Sequence, residues 1–292
     1  MNSRSILSRG ACSIRQMVFF ISLFALFIVV FSPVWKGLVA SWYTSDDYSH
    51  GFLIVPIAVY IAWQKRAALA SVPVRGSWWG LGLLILSLVA YVIAHFAGIV
   101  TVASFSMVPA IAGTVLFLFG PGYLRKLLFQ IALLLFMIPV PAQVYSTLTV
   151  PLQLFVSQVS TWIGALLGIS IYREGNVIHL SDRTLQVVQA CSGLRSMISL
   201  LTLGAVFGYF TLRSNLLRFC LFLSAIPAAI FVNIVRVTVM IMAFHYFQID
   251  LTVGSTHTVF GILIFFLAFA FIIATKGVLS HWDRSAKETS SS

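Results

Sequence analysis

Charge is what this sequence has least of. Asp, Glu, Lys and Arg together make up 9% of its 292 residues, against 60% apolar, where soluble domains carry roughly 25% charged residues. That shortage excludes a water-soluble globule. The apolar excess equally excludes disorder, which needs the opposite bias. Cysteine is scarce as well: Cys12, Cys191 and Cys220 lie far apart with no Cys-x-x-Cys. A disulfide framework, a zinc site and a dithiol redox centre are therefore disfavoured, and neither a metal nor a cofactor is expected. Acidic residues number 7 against 18 basic ones. No basic stripe interleaved with aromatics accompanies that surplus, so nucleic acid is not the expected partner. Internal repeats are also missing.

What is abundant is hydrocarbon. Twenty-five Phe and seven Trp point to a protein whose solvent is membrane lipid. A spanning helix needs about 20 apolar residues. Apolar runs near 17–35, 50–64, 77–97, 102–120, 126–140, 194–211, 217–245 and 258–275 predict an all-α polytopic integral membrane protein with about eight transmembrane helices. The expected organisation is a single multi-span domain over 1–280 and a short polar cytoplasmic tail at 281–292. Arg4, Arg9 and Arg15 precede the first run, and no small-residue cleavage site follows, which reads as a retained anchor.

The basic residues test the orientation. With the N-terminus in the cytoplasm and sides alternating, 13 of the 18 fall on the cytoplasmic side, and Lys36, Arg173, Arg183, Arg195 and Arg236 do not. Asp46, Asp47, Glu174, Asp182 and Asp250 lie outside as well. The asymmetry places both termini inside, and the whole +11 surplus becomes a consequence of topology.

Residues 141–193 read as an outer-face insertion. Pro139, Pro141 and Pro151 interrupt it, and Gln143, Thr149, Gln153 and Ser157 recur along it. The segment 144–169 is accordingly expected to be amphipathic or re-entrant rather than a span. Alternating residues around Gly175-Asn176 predict a β-hairpin. A third strand near 185–188 leads into Gln189-Ala190-Cys191-Ser192-Gly193-Leu194-Arg195.

Polar groups inside spans are candidates for function. Cys191 sits at or near a helix start, where the helix dipole lowers a thiol pKa, and Arg195 follows on the same helical face. The alternative is a small buried Cys that packs as a hydrophobe, the reading kept for Cys12 and Cys220. Arg236 lies deep in an apolar run, at a cost of about 2.5–3.5 kcal/mol for a central Arg. Asn233 shares its face; a snorkelling Arg is the alternative. His257 opens the last run, with His245 as its rival at similar depth. His50, in Asp47-Tyr48-Ser49-His50-Gly51, is either substrate-binding or interfacial. His95, His179 and His281 read as structural or solvated. Cys, Arg and His converging on one membrane face suffice for acyl transfer: a nucleophile, a general acid–base and an oxyanion stabiliser. A transporter with Arg236 and Asn233 lining a polar path is the alternative; that class often carries a repeat.

Tyr48-Ser49-His50-Gly51 with Pro56, Ala190-Cys191-Ser192-Gly193-Leu194-Arg195-Ser196, Asn233-Ile234-Val235-Arg236 and a His opening the final run resemble, in that order, the exosortase/archaeosortase family of membrane cysteine transpeptidases. The resemblance implies Cys191 as nucleophile, Arg236 as essential arginine and His257 as the histidine. Arg195, Asn233 and His50 become substrate-binding candidates. Its implied substrates are exported proteins ending in a short motif (often Pro-Glu-Pro-like), a hydrophobic helix and a basic tail. Cleavage would occur on the periplasmic side of a bacterial inner membrane, through a thioester on Cys191. Transfer to a cell-surface or exopolysaccharide acceptor, or release by water, would follow. An acidic motif residue is expected to meet Arg195, Arg183 or Arg173. The sequence departs from the family where Thr258, not an acid, follows His257.

Overall fold

The computed structural model describes residues 14–45, 47–180, 183–187, 194–252 and 254–288. Contacts group the chain into two compact units, Met1–Pro139 and Val140–Ser292.

The first unit is helical. Helix α1 (Ile14–Val30) and α2 (Ser32–Thr44) meet at 67°. Pro33, near the start of α2, cannot donate the backbone bond a continuous helix requires. The carbonyl of Val30 freed by the break accepts the Tyr91 hydroxyl at 2.8 Å, and buried Phe31 stacks on that ring. Helix α3 (Gly51–Gln64) is followed by short α4 (Arg66–Ala70), then by α5 (Trp78–Phe96) and α6 (Val100–Leu118). The last two form a tight antiparallel pair. A Cβ on Gly80 would lie 2.2 Å from the Phe117 backbone nitrogen, and one on Gly113 only 2.8 Å from that of Leu84. Hydroxyls in these helices bond carbonyls of their own helix, as Ser87 does to Leu83 and Thr114 to Ala110. Those hydroxyl protons are thereby satisfied without water. Helix α7 (Pro121–Leu133) tightens into a 3₁₀ turn at Leu134–Met137. The carbonyls exposed there are met by Trp42 Nε1 on Met137 at 2.8 Å and His50 Nε2 on Phe136 at 3.2 Å.

The second unit opens with α8 (Ala142–Leu166) and a sheet of β1 (Ile171–Glu174), β2 (Val177–Leu180) and β3 (Thr184–Gln186), in the order β1-β2-β3, all antiparallel. The expected hairpin is present: Glu174 pairs with Val177 across Gly175 at φ 62°, a backbone angle that glycine adopts freely. Helices α9 (Leu194–Thr211), α10 (Asn215–Phe247) and α11 (Gly254–Glu288) follow. One core joins Val156 and the sheet's Ile178, Leu180 and Leu185 to Val237, Met240 and Ile241 of α10. Another joins Leu200 of α9, Ala225 to Val232 of α10, and Ile264, Ala268 and Ile272 of α11.

The fold is the expected all-α membrane architecture, but eight spans are too many. Among the described residues four helices are long and apolar enough to cross: α5, α6, α10 and α11 over Gly254–Trp282. The count reaches six if α1 with α2, and Pro121–Met137 with α8, each cross as one broken span. The remaining apolar runs fall short as helices. Gly51–Gln64 has 14 residues, about 21 Å at 1.5 Å per residue, against a hydrocarbon core of about 30 Å.

Helix α8 belongs to a bent pair that reads as a broken span or as the expected re-entrant segment. Its stripe of Thr149, Gln153, Ser157 and Ser160 is buried in protein, while Leu148, Phe155, Trp162 and Leu166 are exposed. A surface helix in water does the reverse; small and polar residues facing protein are the pattern of packing in lipid.

Candidate active site

Helix α10 supplies the buried polar groups. Its 33 residues extend about 50 Å, and Asn233 and Arg236 lie in its middle third. Asn233 is 5% exposed and Arg236 is half-buried. Asn233 Nδ2 and Arg236 Nε are buried and make no hydrogen bond among the described residues. Each such orphan costs about 1–3 kcal/mol. Three residues separate the two, so both donors belong to one helical face. Ser160 Oγ of α8 closes on the same turn, donating to the Ile234 carbonyl at 3.3 Å.

Helix α9 approaches this turn by its first residues. Gly208 faces Arg218 and Leu221, and Gly204 faces Leu221 to Ala225. The helices therefore run antiparallel, and that register continued by equal steps brings Leu194 to the level of Asn233–Arg236. Cys191 lies outside the described residues, three positions before Leu194. Arg195 is in the first turn of α9, its side chain likewise outside what is described.

His257 reaches the same region from α11. It continues the buried stripe Phe260, Ile264, Ala268 and Ile272. Phe260 packs against both cores, the one containing Val232 and the one containing Val237, which sets it near the level of Arg236. His257 is one turn earlier. Its Nδ1 lies 3.1 Å from the Leu251 carbonyl. A carbonyl only accepts, so Nδ1 carries the proton, and in the neutral ring Nε2 keeps the free lone pair. His245 is different: it is exposed against Tyr246. Nine residues at about 100° each put it opposite Arg236 on α10.

The turn before α11 is held by Asp250, which the sequence reading assigned only a side of the membrane. Asp250 Oδ1 accepts from the Thr252 backbone N–H at 2.8 Å and the Thr252 hydroxyl at 2.5 Å. Its other oxygen pairs with Arg183, whose guanidinium also lies over the Phe244 ring. The Thr252 bonds, then Arg183, hold the Asp250 carboxyl below its ordinary range. Arg183 thus already has a carboxylate partner within the chain, and Arg173 donates to the Gly175 carbonyl. A cleft of about 80 Å³ lies between β3 and this turn, lined by Thr184, Leu185, Gln186, Met240, Phe244 and Asp250 to Thr252, among others.

His50 is in the first unit, where it serves the Phe136 carbonyl. Beside it, Trp42 occupies the space where a Cβ on Gly51 would sit, which accounts for glycine after His50. Cys220 is an exposed free thiol rather than a buried packing residue. No cluster of three metal-ligating side chains occurs among the described residues.

No curated protein and no solved structure matches the chain. The model of one family, described as transmembrane exosortase, matches residues 42–274. That stretch contains α10, the hairpin and the start of α11, and on it the chain belongs to the transmembrane exosortase family.

Proposed function

We propose that this protein is a membrane-embedded cysteine transpeptidase that cleaves the C-terminal sorting signal of exported proteins. The observation that supports it best is the pair of buried donors that lack a partner among the described residues, Asn233 Nδ2 and Arg236 Nε, on the turn that the start of α9 approaches. Unsatisfied buried donors are expensive, and two on one helical face suit a developing oxyanion. His257 Nε2 takes the Cys191 thiol proton, the resulting thiolate attacks the scissile carbonyl, and Arg236 stabilises the oxygen with Asn233 beside it. Collapse breaks the C–N bond, and the leaving amine takes a proton from His257 Nε2. A thioester remains on Cys191; an acceptor amine or water attacks it while losing a proton to the same nitrogen, the C–S bond breaks, and the expelled thiolate recovers that proton. Arg195 adds positive charge at the head of α9, which favours the thiolate. The His50 ring is occupied by Phe136, which supports an interfacial role over substrate contact.

The same reading places the reaction on the periplasmic face of a bacterial inner membrane, with both termini inside. The substrate's hydrophobic helix would lie in lipid and its basic tail in the cytoplasm. The test replaces Cys191→Ala in cells and follows exported proteins by mass spectrometry. Full-length substrate should accumulate, and the wild type should show the cleavage point and the attached group. Unchanged processing refutes the proposal.

A further inference from the structure

We propose that the free edge of β3 receives the substrate as a fourth strand, laid in the cleft between β3 and the Asp250–Thr252 turn. This rests on the peptidase reading and adds where the peptide lies and in what conformation.

The ladder fixes which groups are free. Leu180 N–H donates to the Arg183 carbonyl and Val187 N–H to the Asn176 carbonyl. With Ile178 opposite Leu185, antiparallel alternation turns Arg183, Leu185 and Val187 toward β2. Thr184 and Gln186 therefore direct their N–H and C=O groups away from the sheet. None of those four groups makes a hydrogen bond among the described residues. An uncovered edge is ordinarily blunted or capped; this one borders a cleft instead.

The cleft has the shape such a strand needs. Thr184 and Gln186 are exposed, and Leu185 is buried. Met240 and Phe244 line the cleft from α10, the turn at Asp250–Thr252 lines it from the α10–α11 connection, and Arg183 with Asp250 bridges strand and turn. Its volume suits one side chain rather than a small-molecule ligand, whose sites run to about 300–1,000 Å³. Backbone pairing would give affinity without regard to sequence, and that one slot would give selectivity. The position also fits the chemistry. Cys191 is four residues past Val187, and Leu251, in the cleft wall, holds His257. A peptide on this edge runs between the segment leading to the nucleophile and the turn that orients the base.

The experiment uses the full chain in membranes with a reporter carrying an intact sorting signal. Gln186→Pro removes one outward N–H but no β2–β3 bond, and Leu185 is already extended, as a pre-proline residue must be. It should lower kcat/KM about tenfold, the loss of roughly one hydrogen bond plus the ring's bulk. It should also fall about fivefold further than Gln186→Ala, which keeps the N–H. As a readout independent of folding, Thr184→Cys is combined with Cys191→Ala, Cys12→Ser and Cys220→Ser, and a single cysteine is walked through the reporter's motif. Disulfides should form at alternate substrate positions, the period of a paired strand. Wild-type kinetics for Gln186→Pro, or cross-links without that period, overturn edge docking and leave the peptidase reading standing. Processing that survives Cys191→Ala overturns the peptidase reading itself.

Discussion

Asn233, whose buried Nδ2 makes no hydrogen bond among the described residues, makes a prediction that separates stability from function. In Asn233→Leu, the amide N and O are replaced by two methyl groups on the same branching pattern, in a setting of Ala229, Val232 and Val237. The buried Nδ2 has no partner, so its removal recovers a desolvation cost of about 1–3 kcal/mol. The leucine is slightly larger, and crowding returns about 1 kcal/mol. The net expectation is a gain of about 1 kcal/mol, equivalent to a rise in Tm of about 2–4 °C in a chain of this size. Unfolding of a multi-span protein is seldom reversible, so wild type and variant are compared at one fixed scan rate in the same detergent. Processing by the same variant should fall about tenfold or more if the amide steadies the oxyanion as proposed. A variant that is both more stable and less active marks a group kept for its ligand. A variant that melts lower than wild type refutes the reasoning, since the amide would then be paired and structural.

Three further outcomes follow from the same contacts. His257→Ala should abolish processing while His245→Ala leaves it near wild type, measured by reporter cleavage; His245 lies on the opposite face of α10 from Arg236. Asp250→Asn should cost stability at pH 7. The native carboxyl titrates below its ordinary value, so its stabilisation is present above about pH 4 and is lost as pH falls through the folded value. The gap between variant and wild type should therefore close below about pH 4 in midpoints followed across pH; an equal gap at pH 3 and pH 7 excludes that origin. Gly80→Ala should destabilise the α5–α6 pair by about 1–3 kcal/mol or block its assembly. Its new methyl would meet the Phe117 backbone nitrogen at 2.2 Å, and an unchanged melting midpoint would contradict so close an approach.

Much of this was legible in the chain because it depends on local pattern. Composition alone fixes the membrane class. Gly175-Asn176 between alternating residues marks the hairpin, and an Asn three residues before an Arg in an apolar run marks the buried patch. The number of spans was not legible. A hydropathy window counts apolar residues but not the straightness of the helix that carries them, and the break at Ser32-Pro33 and the 3₁₀ turn at 134–137 cost nothing on such a scale. The side to which the α8 stripe turns was not legible either. Gln153 and Ser157 mark a polar stripe without saying what covers it; in the structure the stripe is buried against protein. Trp42 on the Met137 carbonyl and Arg183 on Asp250 join residues far apart in sequence, and a single chain offers no local signal for either.

The absence of an acid after His257 has a physical answer in the Leu251 carbonyl. A catalytic imidazole needs its second nitrogen held so that the ring presents the other one, and a neutral acceptor can do this as well as a charged one. Arg236 already brings a positive charge to the proposed site. A carboxylate on Nδ1 would have to be stripped of water at a cost of several kcal/mol. A peptide carbonyl orients the ring without that cost, provided the peptide is itself immobile. The Asp250–Thr252 hydrogen bonds and the Arg183 pair immobilise it. The acidic residue of this site therefore acts one step back from the histidine: its charge is spent on Arg183 and the turn, and only the geometry it enforces reaches the ring.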